Sequence, residues 1–149
     1  MAELRSCARR MVRGWAYDRL AAELCAAGHR VLVAALAGLG ARKEELSPAI
    51  DLATHVGDVV TRIETSGFDR FVLVGYSYGG VIITGVAAMR GARIEAMIYV
   101  DAYVPGDGQP VWDLSEDWAR RFYMPNAKPQ DYWPRHSWRI ACLLPLIRC

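Results

Sequence analysis

Six consecutive residues carry the chemistry of this chain: Gly75-Tyr76-Ser77-Tyr78-Gly79-Gly80. They follow an unbroken apolar run, Phe71 to Val74, and open a helix-compatible stretch from Val81 to Met89. An apolar strand, then G-x-S-x-G, then a helix is the pattern of a nucleophile elbow, in which a serine is lifted on a sharp strand-to-helix turn. The chemistry it serves is acyl transfer, with the Ser77 hydroxyl attacking a carbonyl carbon. The backbone of such a turn is strained, and the residues two places either side must leave room for the helix. Glycine at positions 75 and 79 supplies that room. The turn places Ser77 at a helix N-terminus, where N–H groups and the helix dipole favour developing negative charge. The backbone N–H of Tyr78 is the expected oxyanion donor.

A serine attacks only when a base takes its proton, normally a histidine oriented by a carboxylate. The chain has three histidines. His29 falls at a helix–strand junction and reads as a surface turn residue. His55 lies on a helix beginning at Asp51, near its apolar stripe, and reads as a packed or half-exposed helix residue. His136 lies downstream of Ser77 in a proline-interrupted tail. Asp101 ends the strand after the elbow and has two readings, the carboxylate of a triad or a cap on the following turn. Tyr76 and Tyr78 flank the serine and would line an ester pocket or serve as packing. The four cysteines form no C-x-x-C pair and have no nearby histidine, so neither zinc nor a disulfide framework is expected. No cofactor is implied.

The elements that must position Ser77 are legible. Trp15 to Ala27 reads as a helix stopped by Gly28. Arg30 to Leu36 reads as a short apolar strand, broken by Gly38-Leu39-Gly40 and followed by a charged loop, Ala41 to Glu45. Asp51 is a good N-cap for a helix to about Ser66, with Leu52, Val56, Val59, Val60 and Ile63 recurring on one face. Phe71–Val74 and Ile94–Val100 are the next strands, with the Val81–Met89 helix between them. Helix and strand alternate as in an α/β protein with a parallel sheet, and the continuous apolar strands suit a sheet covered on both faces. After Leu114 the periodicity decays into a proline-rich stretch.

A chain of 149 residues, 53% hydrophobic, suits one domain with a modest core. Met1–Arg13 is charged and lacks the apolar core of a signal peptide, and Val31–Leu39 is too short to span a bilayer, so a cytoplasmic location is expected. The net charge of +2 is unevenly spread. Residues 1–19 hold five basic residues against two acidic, residues 20–119 seven against thirteen, and residues 120–149 six against one. Basic ends suit nucleic acid or a membrane surface. Their composition is read differently below, and neither partner is expected.

In its middle the chain resembles the α/β-hydrolase superfamily, and more narrowly the small-esterase branch that contains plant methylesterases and hydroxynitrile lyases. The matching residues run in order: Ala26-Ala27-Gly28-His29-Arg30-Val31, Leu36-Ala37-Gly38-Leu39-Gly40, Leu46-Ser47-Pro48, Ile50-Asp51-Leu52, Thr54-His55-Val56, Asp58-Val59-Val60, the elbow, and Tyr99-Val100-Asp101-Ala102-Tyr103-Val104-Pro105 with Asp107-Gly108-Gln109. The resemblance implies a partial α/β-hydrolase fold, a parallel sheet flanked by helices, over residues 14–114. Residues 1–13 and 120–149 do not match. It implies a serine hydrolase acting on small-molecule carboxylic esters through Ser77, without metal or cofactor. It also implies a strand between those at Val31–Leu36 and Phe71–Val74, and a His-Gly loop giving a second oxyanion N–H. The arginine-rich Met1–Arg13 is a poor match to that strand, and the two sheet strands are expected to lack their shared neighbour. The family's triad histidine sits in a Gly-His loop, a context His136 lacks. The alternative reading is a catalytically inactive remnant without that histidine. Arginine enrichment is also what GC-rich coding sequence yields in a shifted frame. One codon choice for Ala8–Gly14, read one base later, spells His-Gly-Ala-Trp-Cys-Ala-Gly, so both ends are expected to be out of frame.

Overall fold

Two helix ends among the described residues are set by local side-chain and glycine signals. The structure, a computed structural model, describes residues 4–7 and 15–118. Helix α1 (Trp15–Ala26) stops at Gly28, whose φ of 87° is open to glycine without strain. The Gly28 N–H bonds to the Cys25 carbonyl at 2.9 Å and the His29 N–H to the Leu24 carbonyl at 3.0 Å, the paired bonds of a Schellman motif. Helix α2 (Leu52–Thr65) starts on a full capping box. The Asp51 carboxylate accepts the Thr54 N–H at 2.8 Å, and the Thr54 hydroxyl accepts the Asp51 N–H at 3.4 Å. The charged loop expected over Ala41–Glu45 is wound into a 3₁₀ turn, Gly40–Glu45.

Four strands form one parallel sheet: β1 (Leu4–Cys7), β2 (Val31–Ala34), β3 (Phe71–Ser77) and β4 (Ile94–Ala102), in the order β2-β1-β3-β4. Helix α3 (Gly79–Arg90) connects β3 to β4. The expected gap between β2 and β3 is therefore filled. Leu4 pairs with Val31 on one side and Val72 on the other, and the register runs on to Cys7 opposite Ala34 and Gly75. Sequence reasoning weighed the arginines of this segment against a central strand. The ladder is made by main-chain N–H and C=O groups, which any residue but proline supplies, and two strands facing each other across one strand width leave those groups unpaired until a third enters.

The core lies between β3 and the helices. Phe71, Leu73, Ile63, Ile82, Ile83, Val86 and Leu36 are fully buried. The buried face of α2 is Leu52, His55, Val56, Val59, Val60 and Ile63, the expected stripe with a histidine added. Helices α2 and α3 cross so closely that a Cβ on Gly85 would stand 2.7 Å from a Val56 methyl. Coverage of both sheet faces fails at β4. Tyr99 faces α3, where its hydroxyl bonds Thr84 Oγ1 at 2.9 Å, while Ile98 and Val100, on the opposite face, are 43% and 45% exposed.

At the N-terminal edge of the sheet the Glu64 carboxylate accepts from Arg90 Nε at 2.8 Å and Arg93 Nη1 at 2.9 Å, joining the ends of α2 and α3 to the entry of β4. Arg93 also donates to the carbonyls of Phe68 and Asp69. The described residues up to Tyr103 form one compact unit and those from Val104 onward another. In the second, Gln109 bonds twice to Gly106, and Pro110 precedes a single helical turn, α4 (Val111–Leu114). No helix among the described residues is long and apolar enough to cross a membrane.

Candidate active site

Because the strands are parallel, β2, β3 and β4 all end at one edge of the sheet, where α/β proteins gather their ligands. Ser77 is the last residue of β3 and Tyr78 is the N-cap of α3. Ser77 has φ +53°, a left-handed backbone that disfavours a side-chain-bearing residue by roughly 1–2 kcal/mol. Tyr78 returns to a right-handed helical conformation at φ −56°, ψ −26°, and its carbonyl accepts the Val81 N–H at 3.1 Å, the first turn of the helix. No side chain of Tyr78 caps that turn. Strand, reversal and helix thus follow one another within three residues, as the sequence motif requires.

Glycine is needed here because two main-chain segments nearly touch. A Cβ on Gly75 would lie 2.6 Å from the Gly79 carbonyl oxygen and 2.8 Å from the Gly80 nitrogen. A Cβ on Gly80 would overlap the Tyr103 carbonyl oxygen and stand 2.8 Å from Ala102 Cβ. Gly75 was expected to give room. Gly80, which seats α3 against the end of β4, was missed, although the Gly79-Gly80 pair is a visible signal of close approach on two sides.

Asp101 also lies in the left-handed region, at φ +43°. The β3–β4 register shifts there: Tyr76 pairs with Val100 and Ser77 with Ala102, so Asp101 is the extra residue of a bulge. The N–H of Tyr103 reaches across to the Ser77 carbonyl at 3.1 Å rather than back to Asp101. Asp101 is exposed. Aspartate tolerates this conformation better than most residues, which is a local reason for its presence.

Of the two histidines among the described residues, His29 and His55, it is His55 that lies near the elbow. It is buried, 8% exposed, with Nε2 3.0 Å from the Ala37 carbonyl oxygen and Nδ1 3.2 Å from the Tyr78 hydroxyl. A carbonyl only accepts, so Nε2 carries a proton; when the ring is neutral, Nδ1 then accepts from the tyrosine hydroxyl. The two rings meet edge to face, 5.8 Å apart. Tyr78 thus directs its hydroxyl toward α2. His29 follows α1 and precedes β2, which puts it at the opposite edge of the sheet from Ser77. His136 lies outside the described residues.

One turn along α2 from His55, the Asp58 carboxylate accepts the Ala37 N–H at 2.8 Å and pairs with Arg42 at 2.9 Å. Arg42 also donates to both Glu45 oxygens, at 2.7 and 2.6 Å, and to the Ala35 carbonyl at 3.0 Å. Glu45, and after it Asp58, hold the Arg42 guanidinium above its already high range, while Arg42 holds the Glu45 carboxyl below the usual carboxylate range. Helix α2 therefore grips both sides of residue Ala37. Sequence reading missed this, though His55 and Asp58, three apart on one helix face, were the available signal. Among the described residues no three His, Cys, Asp or Glu side chains are grouped to hold a metal ion.

A parallel sheet with a left-handed serine at the β3–α3 junction defines the α/β-hydrolase class, and the chain belongs to the alpha/beta hydrolase family, whose pattern matches residues 11–146. It is 43% identical over 101 residues to a carbendazim hydrolyzing esterase of Nocardioides, covering 68% of this chain and 42% of that protein. It is 27% identical over 108 residues to methylesterase 10 of Arabidopsis thaliana, covering 72% of this chain and 39% of the relative. Among solved structures it superposes on an extracellular alpha/beta-hydrolase from a Paenibacillus species, described as sharing structural and functional homology with tobacco salicylic acid binding protein 2, with a TM-score of 0.72 and 27% identity over 83% of this chain and 50% of that one. The chain spans about two-fifths of the length of these curated relatives.

Proposed function

We propose that this chain carries the nucleophile-bearing part of a serine esterase acting on small-molecule carboxylic esters. The observation that carries the reading is Ser77 itself, a left-handed residue at φ +53° seated between Gly75 and Gly80 on a strand-to-helix turn. In the reaction the Ser77 oxygen bonds to the ester carbonyl carbon while its proton passes to a base. The tetrahedral oxygen draws charge toward the Tyr78 N–H at the start of α3, the alcohol leaves, and water releases the acid. The esterase names of the relatives support the ester class. No cofactor enters this scheme.

A second reading is favoured by the placement of the two described histidines. Among the described residues neither His55 nor His29 is bonded to Ser77. Without a triad histidine, turnover falls by on the order of 10⁶ in kcat, and the chain is a catalytically inactive member. A fluorophosphonate probe separates the two readings, because it forms a stable Ser–O–P bond with loss of fluoride. Labelling that disappears in Ser77→Ala supports the nucleophile. A wild-type chain no more reactive than Ser77→Ala refutes it.

A further inference from the structure

The elbow holds a strained residue, and strained backbone persists only where its surroundings fix it from several sides. On the sheet side the Tyr103 N–H holds the Ser77 carbonyl at 3.1 Å. On the other side the next residue, Tyr78, is tied by its hydroxyl to His55 at 3.2 Å. His55 is an unusual occupant of the α2 stripe. Its neighbours on that face are Leu52, Val56, Val59, Val60 and Ile63, and a buried imidazole among them is unfavourable unless both nitrogens are bonded. Both are, one to Tyr78 and one to the Ala37 carbonyl at 3.0 Å. The same Ala37 is held through its N–H by Asp58 at 2.8 Å. A continuous path therefore runs from the loop after β2, through α2, to the residue next to Ser77. An aliphatic residue at 55 would pack the stripe but leave the tyrosine hydroxyl without this acceptor.

We propose that His55 and Tyr78 form a positioning pair for Ser77: the imidazole, fixed by Ala37, holds the Tyr78 side chain so that the Ser77–Tyr78 peptide keeps the geometry the attack requires. The inference deepens the serine-esterase reading and rests on it. Neither side chain exchanges a proton with substrate. Their effect is on the placement of the Ser77 oxygen and the Tyr78 N–H, to which acyl transfer is sensitive on a scale below an ångström.

Tyr78→Phe keeps the ring and removes only the hydroxyl. Phosphonylation of Ser77 by a fluorophosphonate probe is followed against probe concentration for wild type, Tyr78→Phe and His55→Gln, with urea midpoints recorded in parallel. The expected result is a saturating rate constant lowered by about tenfold in each variant, with the half-saturating concentration unchanged. The imidazole ¹⁵N resonances of His55 should show a protonated Nε2 and a hydrogen-bonded Nδ1, the latter shifting in Tyr78→Phe. A Tyr78→Phe chain labelled at the wild-type saturating rate overturns the inference, as does a change confined to half-saturation or a His55 protonated on Nδ1 alone. Failure of the underlying reading looks different: there the wild type itself is no more reactive than Ser77→Ala, and the pair has no nucleophile to position.

Discussion

The approach of main chain to main chain at Gly75 yields the sharpest prediction. In Gly75→Ala the new methyl would meet the Gly79 oxygen at 2.6 Å, the Gly79 carbonyl carbon at 2.7 Å and the Gly80 nitrogen at 2.8 Å. Ordinary contact begins near 3.4 Å, so β3 and the first turn of α3 must separate by more than half an ångström. The obstructing atoms are main chain and cannot rotate away. Inserting a methyl into a packed interior destabilises by roughly 1–3 kcal/mol, and a rigid neighbour puts this site near the top of that range. Restricting the unfolded chain by replacing glycine returns about 0.4–1 kcal/mol. The net loss is about 2 kcal/mol, near 30-fold in the folding equilibrium. Gly57→Ala serves as the matched control, since its Cβ would meet nothing within 4 Å inside α2 and the change should stabilise by about 0.5–1 kcal/mol. Urea titration followed by tryptophan fluorescence measures both. A Gly75→Ala midpoint at or above wild type, with an unchanged m-value, would refute the close-approach argument.

Asp101 at φ +43° predicts an ordered series: Asp101→Gly at or above wild-type stability, Asp101→Asn near it, and Asp101→Val lower by about 1–2 kcal/mol, read from the same urea midpoints. Acid should weaken the fold with a definite sign. The Thr54 N–H holds the Asp51 carboxyl below its ordinary range, and Arg90, then Arg93, does the same for Glu64. A carboxylate whose folded pKa is depressed gives its full stabilisation above the unfolded value, about 4, and loses it as pH falls through the folded one. The contribution of these two carboxylates should be flat from about pH 7 to 5 and fall below about 4. Asp51→Ala should remove about 1 kcal/mol at neutral pH and flatten part of that acid limb; an unaltered limb would sink the assignment.

The fold was legible where local rules and tertiary needs agree. Asp51, Gly28 and the apolar spacing of α2 set helix limits to within a residue or two, because capping and periodicity are written in neighbouring residues. The elbow was legible for the same reason: its glycines and serine are consecutive. Strand β1 was not, since Leu4–Cys7 earns its place from the ladder partners Val31–Ala34 and Phe71-side residues Val72–Gly75, which are remote in sequence. His55 was read as a helix residue and no more. Its partners, Ala37 and Tyr78, lie 18 and 23 residues away, and nothing in local spacing announces them. The exposed face of β4 was likewise hidden, because an apolar run says that a strand can be covered without saying what covers it.

Strain in this sheet is concentrated rather than spread. The two non-glycine residues with positive φ among those described, Ser77 and Asp101, sit on adjacent strands across a single register shift. Ser77 closes β3 in a left-handed conformation, and the neighbouring strand carries one extra residue, Asp101, before pairing resumes between Ser77 and Ala102. The bulge brings the Tyr103 N–H to the Ser77 carbonyl, and the missing side chain of Gly80 lets the Tyr103 carbonyl lie against α3. Each feature requires the next, so the strained serine is fixed by β4 as firmly as by its own helix. Relaxing the bulge should therefore loosen the elbow even though Asp101 makes no hydrogen bond through which it could act on Ser77 directly among the bonds described for these two residues.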